Sequence, residues 1–285
     1  MLAALTATKL IASRGEDEGP GQDIAITHIH AAVRDPETNQ VLLATHQGLF
    51  ALEDRTKTPT DRSGDGGISQ DDAPRLDLIS PTFDLMGFTR APDGTFYASG
   101  HAGPELDFDE PMGLISSDDG GKSWSTLSRG GQSDFHGLAA GNDVIVGYDS
   151  ELRATTDGAR WETLVPPAPP TGLALSPDGT TIAVVAAADI HLSQDQGLTW
   201  TTAPAPADIS LATFADDTTI VAASPEGQLY LSENAGQSWT TGGPVGPGLT
   251  SLSATRTDSG VDVLAVSDLN VFATTDLGLT VRRLV

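Results

Sequence analysis

The chain of 285 residues contains no cysteine. That excludes a disulfide framework, a thiolate metal site and thiol chemistry, though it does not fix the compartment. Basic residues are scarce: 15 Lys and Arg stand against 39 Asp and Glu, for a formal charge of −24. A surface of that sign repels nucleic acid and anionic membranes unless a local basic patch intervenes, and no cluster exceeds the pair Arg282–Arg283. It reads first as a solvated acidic surface, suited to solubility, high salt or cation binding. No run of 18 uncharged apolar residues occurs, so no membrane-spanning helix is expected. The opening stretch, MLAALTATKLIASRGEDEG, has a short apolar run with no basic residues ahead of it and makes a poor signal peptide.

What is present is a repeat. SDDGGKSW (117–124), TTDGARW (155–161), SQDQGLTW (193–200), SENAGQSW (232–239) and TTDLGLTV (274–281) align, with starts 38, 38, 39 and 42 residues apart. That period fits a four-stranded propeller blade. The pattern, Ser/Thr-x-Asp-x-Gly-x-Thr/Ser-Trp, is the Asp-box or BNR repeat. Its logic is structural: the Asp accepts backbone N–H bonds in a tight turn, the Gly supplies positive φ, and the Trp packs on the strands. Two copies are complete, at Asp119, Gly121, Trp124 and at Asp195, Gly197, Trp200. Between the boxes run short apolar strands and turns such as SPDG (176–179), which argues for an all-β fold. Six blades are expected, beginning near Thr27, Phe83, Asp134, Thr171, Ile209 and Thr250, with a seventh built from the N-terminus as the alternative. Residues 1–23 read as an arm and 24–285 as one propeller domain, with an insertion at about 54–75 in the first blade, which lacks an Asp-box.

The stretch DIAITHIHAAV places His28 and His30 two residues apart on a strand, hence on one side of it. Aligning the first strands of the blades puts His28 opposite Asp84 and Asp134, and His30 opposite Met86 and His136. Aligning the ends of the second strands puts His46 opposite His101 and, roughly, Asp149. Strand one leaves one face of a blade and strand two returns to it, so these residues converge at one mouth of the central channel. His191, on a third strand, falls outside the set. Imidazole suits Zn, Cu, Ni and Fe, a thioether adds preference for Cu(I), and carboxylates either ligate or orient imidazoles. The expected metal set is His28, His30, His46, His101, His136, Met86, Asp84 and Asp134. A polar small-molecule pocket, or histidines merely hydrogen-bonded to carboxylates, are the alternatives.

HIHAAVRDP, LLATHQGLF, LMGFT, YASGH, GLISSDDGGKSW and DFHGL resemble the secreted or lipoprotein-type Asp-box propellers of actinobacteria, labelled glycosyl-hydrolase-like or exo-α-sialidase-like. The resemblance covers residues 24–165 in detail and implies a propeller exported from the cytoplasm. Sialidases also resemble one another in an arginine triad, a Tyr/Glu nucleophile pair, an acid Asp and an Arg-Ile-Pro motif. Arg-Ile-Pro is absent here, and Tyr97, Tyr148 and Tyr230 have no obvious Glu partner. Arg34 and Arg90 share a first-strand position, but no third Arg does. A functional sialidase is therefore not expected. If the chain is another hydrolase, Asp84 and Asp134 are the candidate catalytic carboxylates.

The insertion carries a second metal signal. DRSGDGGISQDD (61–72) matches a twelve-residue calcium loop through Asp61, Ser63, Asp65, Gly67, Ser69 and Asp72, with Gly66 at the sharp turn and Asp where Glu is usual. ELDFDEP (105–111) reads as an acidic loop over the channel face, able to add oxygen ligands. The expected function is an extracytoplasmic, monomeric propeller binding a transition metal, copper first and zinc second. Calcium is a further cofactor candidate, and the partner is a metal ion or small polar ligand. The rivals are a sialidase-like or carbohydrate-binding propeller and a metal-independent interaction scaffold.

Overall fold

In the computed structural model, residues 10–14, 24–53, 74–103 and 106–285 are described. The loop at 61–72 proposed for calcium lies outside them. No helix occurs among the described residues, and so none long and apolar enough to cross a membrane. The strands form six sheets, five of four antiparallel strands and one of six strands that is antiparallel but for one pair. Blade one runs Ile29–Arg34, Val41–Thr45, Gly48–Glu53 and Arg75–Leu78; blade two runs Phe83–Arg90, Phe96–Ala102, Leu114–Ser117 and Ser125–Ser128. Blades three to six start at Gly137, Gly172, Leu211 and Ser251. The result is a six-bladed β-propeller. Leu10–Arg14 pairs parallel with the outermost strand of blade one, and Ile24–Ile26 pairs antiparallel with Leu10–Arg14, which widens that sheet to six strands.

Each blade is sandwiched between two others, so the second strands are apolar on both faces. Val41–Thr45, Ile182–Ala186 and Ile220–Ala223 are buried at every position. They read as continuous apolar runs rather than alternating ones. Outer strands such as Ser125–Ser128 meet solvent and are polar. Blade six closes on blade one through one apolar cluster that includes Ile29, Leu43, Phe50, Val266, Val271 and the C-terminal Leu284 and Val285. The closure is keyed by polar contacts: Ser253 Oγ donates to Ala32 O at 2.7 Å, and Arg34 pairs with Asp262.

The five repeat turns lie between strands three and four of blades two to six. In the first, Asp119 Oδ1 accepts from the N–H groups of Lys122 (3.0 Å) and Ser123 (2.9 Å) and from Ser117 Oγ (2.8 Å). Ser117 Oγ accepts the Gly121 N–H, and Trp124 Nε1 donates to Gly121 O. Asp195 and Asp276 repeat the arrangement with Ser193 and Thr199, and with Thr274 and Thr280. These bonds stabilise the ionised carboxylates: Asp119 is lowered to about 2 by Ser123 and its neighbours, and Asp195 and Asp276 are lowered for the same reason. A depressed folded value contributes stability above the unfolded value and loses it as pH falls through the folded one. The melting temperature should therefore fall more steeply between pH 5 and about pH 2.5 in wild type than in a variant carrying Asp119→Asn and Asp195→Asn, as differential scanning fluorimetry would show.

Candidate metal centre at one channel mouth

The six first strands line a central cavity of about 610 Å³. Their starts, and the ends of the second strands that pair with them, lie on the face opposite the repeat turns. In blade one, Ile29 pairs with Thr45 and Ala31 with Ala44, so the register shifts at His30. In blade two, Leu85 pairs with Gly100 and Gly87 with Ser99, so it shifts at Met86. His30 and Met86 therefore occupy the same bulge of successive blades, and His46 and His101 follow the same position of the second strands. A bulge kinks a strand and re-aims its side chains. Here it turns His30 and Met86 toward the cavity that both line. In blade three the His136 N–H donates to Tyr148 O (3.1 Å), one pair before Gly137–Tyr148, which fixes His136 as the equivalent of His30.

The structure brings the five predicted histidines to this mouth. The rings of His28, His30 and His46 lie 4.5 to 5.3 Å apart. His30 Nε2 is 3.8 Å, and His46 Nε2 3.9 Å, from Asp84 Oδ1. One ligand atom from each of these three residues lies within 4.8 Å of the others. One blade round, Asp134 Oδ2 is 3.3 Å from His101 Nε2 and 2.9 Å from His136 Nε2. His101 Nδ1 meets Glu110 Oε2 at 2.9 Å. Glu110 comes from the acidic run read over this face; the sequence offered no way to single it out from its neighbours. His191 is buried elsewhere, with its Nδ1 3.1 Å from Thr202 Oγ1.

Asp149 is the aligned residue that the structure takes elsewhere. Arg129 and Arg153 both pair with its carboxylate, and the Ser133 hydroxyl donates to it. Two guanidinium groups make it a structural anion rather than part of the histidine set. Arg34 and Arg90 lie at the opposite end of the cavity, as their position four residues further along the strand requires. Arg34 pairs with Asp262, and Arg90 with Glu37 (2.8 Å) and Asp35 (3.5 Å).

Electrostatics distinguish the histidines. Burial, with the nearby His28 and His46, lowers His30 to about 4. It is neutral at pH 7, with a lone pair to offer. Burial raises the Asp84 carboxyl, against the pull of His46 and His101. The Glu110 carboxylate raises His101. His30 Nε2, Asp84 Oδ1 and Asp134 Oδ1 are shielded from solvent without a hydrogen-bond partner among the described residues. Buried polar atoms are rarely left so. At 3.8 Å, His30 and Asp84 are too far apart for a hydrogen bond. Ligand atoms on one ion, with bonds of about 2.0–2.2 Å, stand about 3–3.6 Å apart. The His30, His46 and Asp84 atoms, all within 4.8 Å of one another, therefore reach a shared ion after movements of about an ångström.

No family model matches the chain, and no curated protein matches it. Solved structures do. A GH74 enzyme from Niastella koreensis superposes with a TM-score of 0.51 at 19% identity over 85% of this chain, which spans 35% of that enzyme's length. A structure of the nidogen/laminin complex gives 0.59 at 14% identity, covering 85% of this chain and 92% of that one. XC5397 of Xanthomonas campestris, described as a gluconolactonase, gives 0.60 at 11% identity over 88% of both chains. The chain thus has two enzymes and the nidogen/laminin complex among its neighbours, and at these identities what it shares with them is the propeller fold.

Proposed function

We propose that the chain is an extracytoplasmic propeller that binds a transition metal through His30, His46 and Asp84 at one mouth of its channel. The observation that carries this is the pair of buried, unpartnered atoms His30 Nε2 and Asp84 Oδ1, with His46 Nε2 facing the same carboxylate oxygen. Two imidazoles and a carboxylate suit copper(II) and zinc(II) alike, and leave open positions for water or a ligand. Met86, at the equivalent bulge of the next blade, is the reason to place copper first. The hydrogen-bonded turns at blade spacing support membership of the exported Asp-box propellers, and with it the location.

Titration of metal-free protein with copper(II) and with zinc(II) tests the reading. Wild type should bind with micromolar affinity or better, and His30→Ala, His46→Ala or Asp84→Asn should each weaken binding about 100-fold, or about 3 kcal/mol. Unchanged affinity in all three folded variants would refute it.

A sugar-active propeller is the second reading. The Asp84 carboxyl, raised by burial, favours it, because a general-acid carboxyl works from above its ordinary value. The GH74 and gluconolactonase neighbours lend it the fold. Sialidase chemistry gains nothing from Arg34 and Arg90, which already hold carboxylates of the chain itself. Turnover of a glycoside by metal-free wild type, abolished in folded Asp84→Asn, would favour this reading over the first.

A further inference from the structure

We infer that the chain holds a second ion position, one blade further round, at the seam between blades two and three, with His101 and Asp134 at its centre and His136 and Met86 at its sides. The inference rests on reading the first seam as an ion position. Its basis is the repetition of backbone positions. The first seam takes its bulge residue and the residue after its second strand from blade one, His30 and His46, and its carboxylate from the start of blade two, Asp84. The same three positions one blade on are Met86, His101 and Asp134.

The side chains repeat as well as the backbone. His46 points Nε2 at the carboxylate of the following blade, while Thr27 Oγ1 lies 3.4 Å from its Nδ1. His101 points Nε2 at Asp134 (3.3 Å), while Glu110 holds its Nδ1 at 2.9 Å. A carboxylate on the far nitrogen of an imidazole is the usual outer support of a metal-bound histidine, since it fixes the ring and raises its basicity. His136 brings a second nitrogen to the same Asp134 oxygen, at hydrogen-bond distance, 2.9 Å. The other oxygen, Asp134 Oδ1, is buried with no partner among the described residues, as Asp84 Oδ1 is at the first seam. The second set differs in kind: a thioether stands where the first has an imidazole, so the second position is the softer of the two.

Zinc stoichiometry decides this. Metal-free protein at neutral pH, titrated with zinc(II) and assayed by calorimetry and elemental analysis, should take up two zinc ions per chain. His101→Ala and Asp134→Asn should each take up one, at the affinity of the first seam, and adding His30→Ala should remove that one. His101 is about half exposed, so its truncation opens no core cavity, and Asp134→Asn keeps the side-chain shape if the first variant fails to fold. One zinc in wild type, kept in His101→Ala and lost in His30→Ala, would overturn the second position and leave the first standing. Two zinc ions in both wild type and His101→Ala would overturn it too. Loss of both ions in folded His101→Ala would show one indivisible cluster and overturn a separate position. No zinc in wild type, with no copper(II) uptake in the parallel titration, would end both.

Discussion

Gly100→Ala should unfold the histidine-lined mouth more effectively than a change to any of its histidines or carboxylates. Gly100 sits at φ +145, a conformation that a side chain rarely adopts. A Cβ there would come 2.0 Å from Asp84 O and 2.9 Å from Met86 N, both backbone atoms that cannot swing aside. The bulge at Met86 exists because the paired strand approaches this closely, and the bulge aims the side chains on either side of it. The expected cost is about 3 kcal/mol or more, combining backbone strain with a displaced strand. For a chain of this size that lowers the melting temperature by roughly 5–10 °C. Metal binding should fail even at temperatures where the variant stays folded, because Asp84 moves with its carbonyl. Gly120→Ala is the control. It also has positive φ (+75), but nothing lies within 4 Å of its added Cβ. It should cost about 1 kcal/mol and leave metal binding intact. Equal losses in the two variants, or unchanged binding in Gly100→Ala, would show that the bulge does not set the site.

The repeat turns made the fold legible. A carboxylate, a glycine and a tryptophan at fixed offsets specify a hairpin by local chemistry, and the 38-residue period then counts the blades. The closing contacts of the ring were not legible. Ser253 to Ala32 and Arg34 to Asp262 join residues more than 200 positions apart, with no motif to mark them. At the site, alignment of equivalent strands identified the histidines because backbone equivalence carries side-chain position with it. The bulges were invisible, since a one-residue register shift leaves no trace in an apolar strand sequence. So was the division of the histidines between two seams, which depends on which carboxylate each ring meets across a blade boundary. Asp149 shows the converse. Its alignment with His101 was reasonable, but Arg129 reaches it from the end of blade two and Arg153 from the next strand of its own blade, and guanidinium pairing outweighs strand position.

The mouth-facing polar residues alternate with anchors. His28 and His30 flank Ile29, Asp84 and Met86 flank Leu85, and Asp134 and His136 flank Phe135; the three central residues are fully buried. Each anchor drives its side chain into the seam between blades and so leaves its neighbours facing the mouth. Phe135 shows how tightly. Its ring stacks on Trp161 with centroids 4.9 Å apart. It also fills the space beside Gly147, where a Cβ would meet the ring at 2.6 Å. Its N–H donates to the buried Ser99 hydroxyl at 2.9 Å, and its carbonyl stands 2.2 Å from where a Cβ of Gly87 would be. Phe135→Ala should therefore cost about 3–5 kcal/mol, the usual loss for emptying a fully packed aromatic site. Phe135→Leu, which keeps most of the volume, should cost less than half as much. The functional consequence should be local. With the anchor gone, Asp134 and His136 lose their fixed approach, and zinc uptake should fall by the one ion assigned to the seam of blades two and three. Zinc at His30, His46 and Asp84 should persist, because Ile29 and Leu85 hold those residues independently. Urea denaturation and zinc stoichiometry on the same three proteins measure both effects. Loss of stability without loss of an ion would mean that the anchor serves the fold alone.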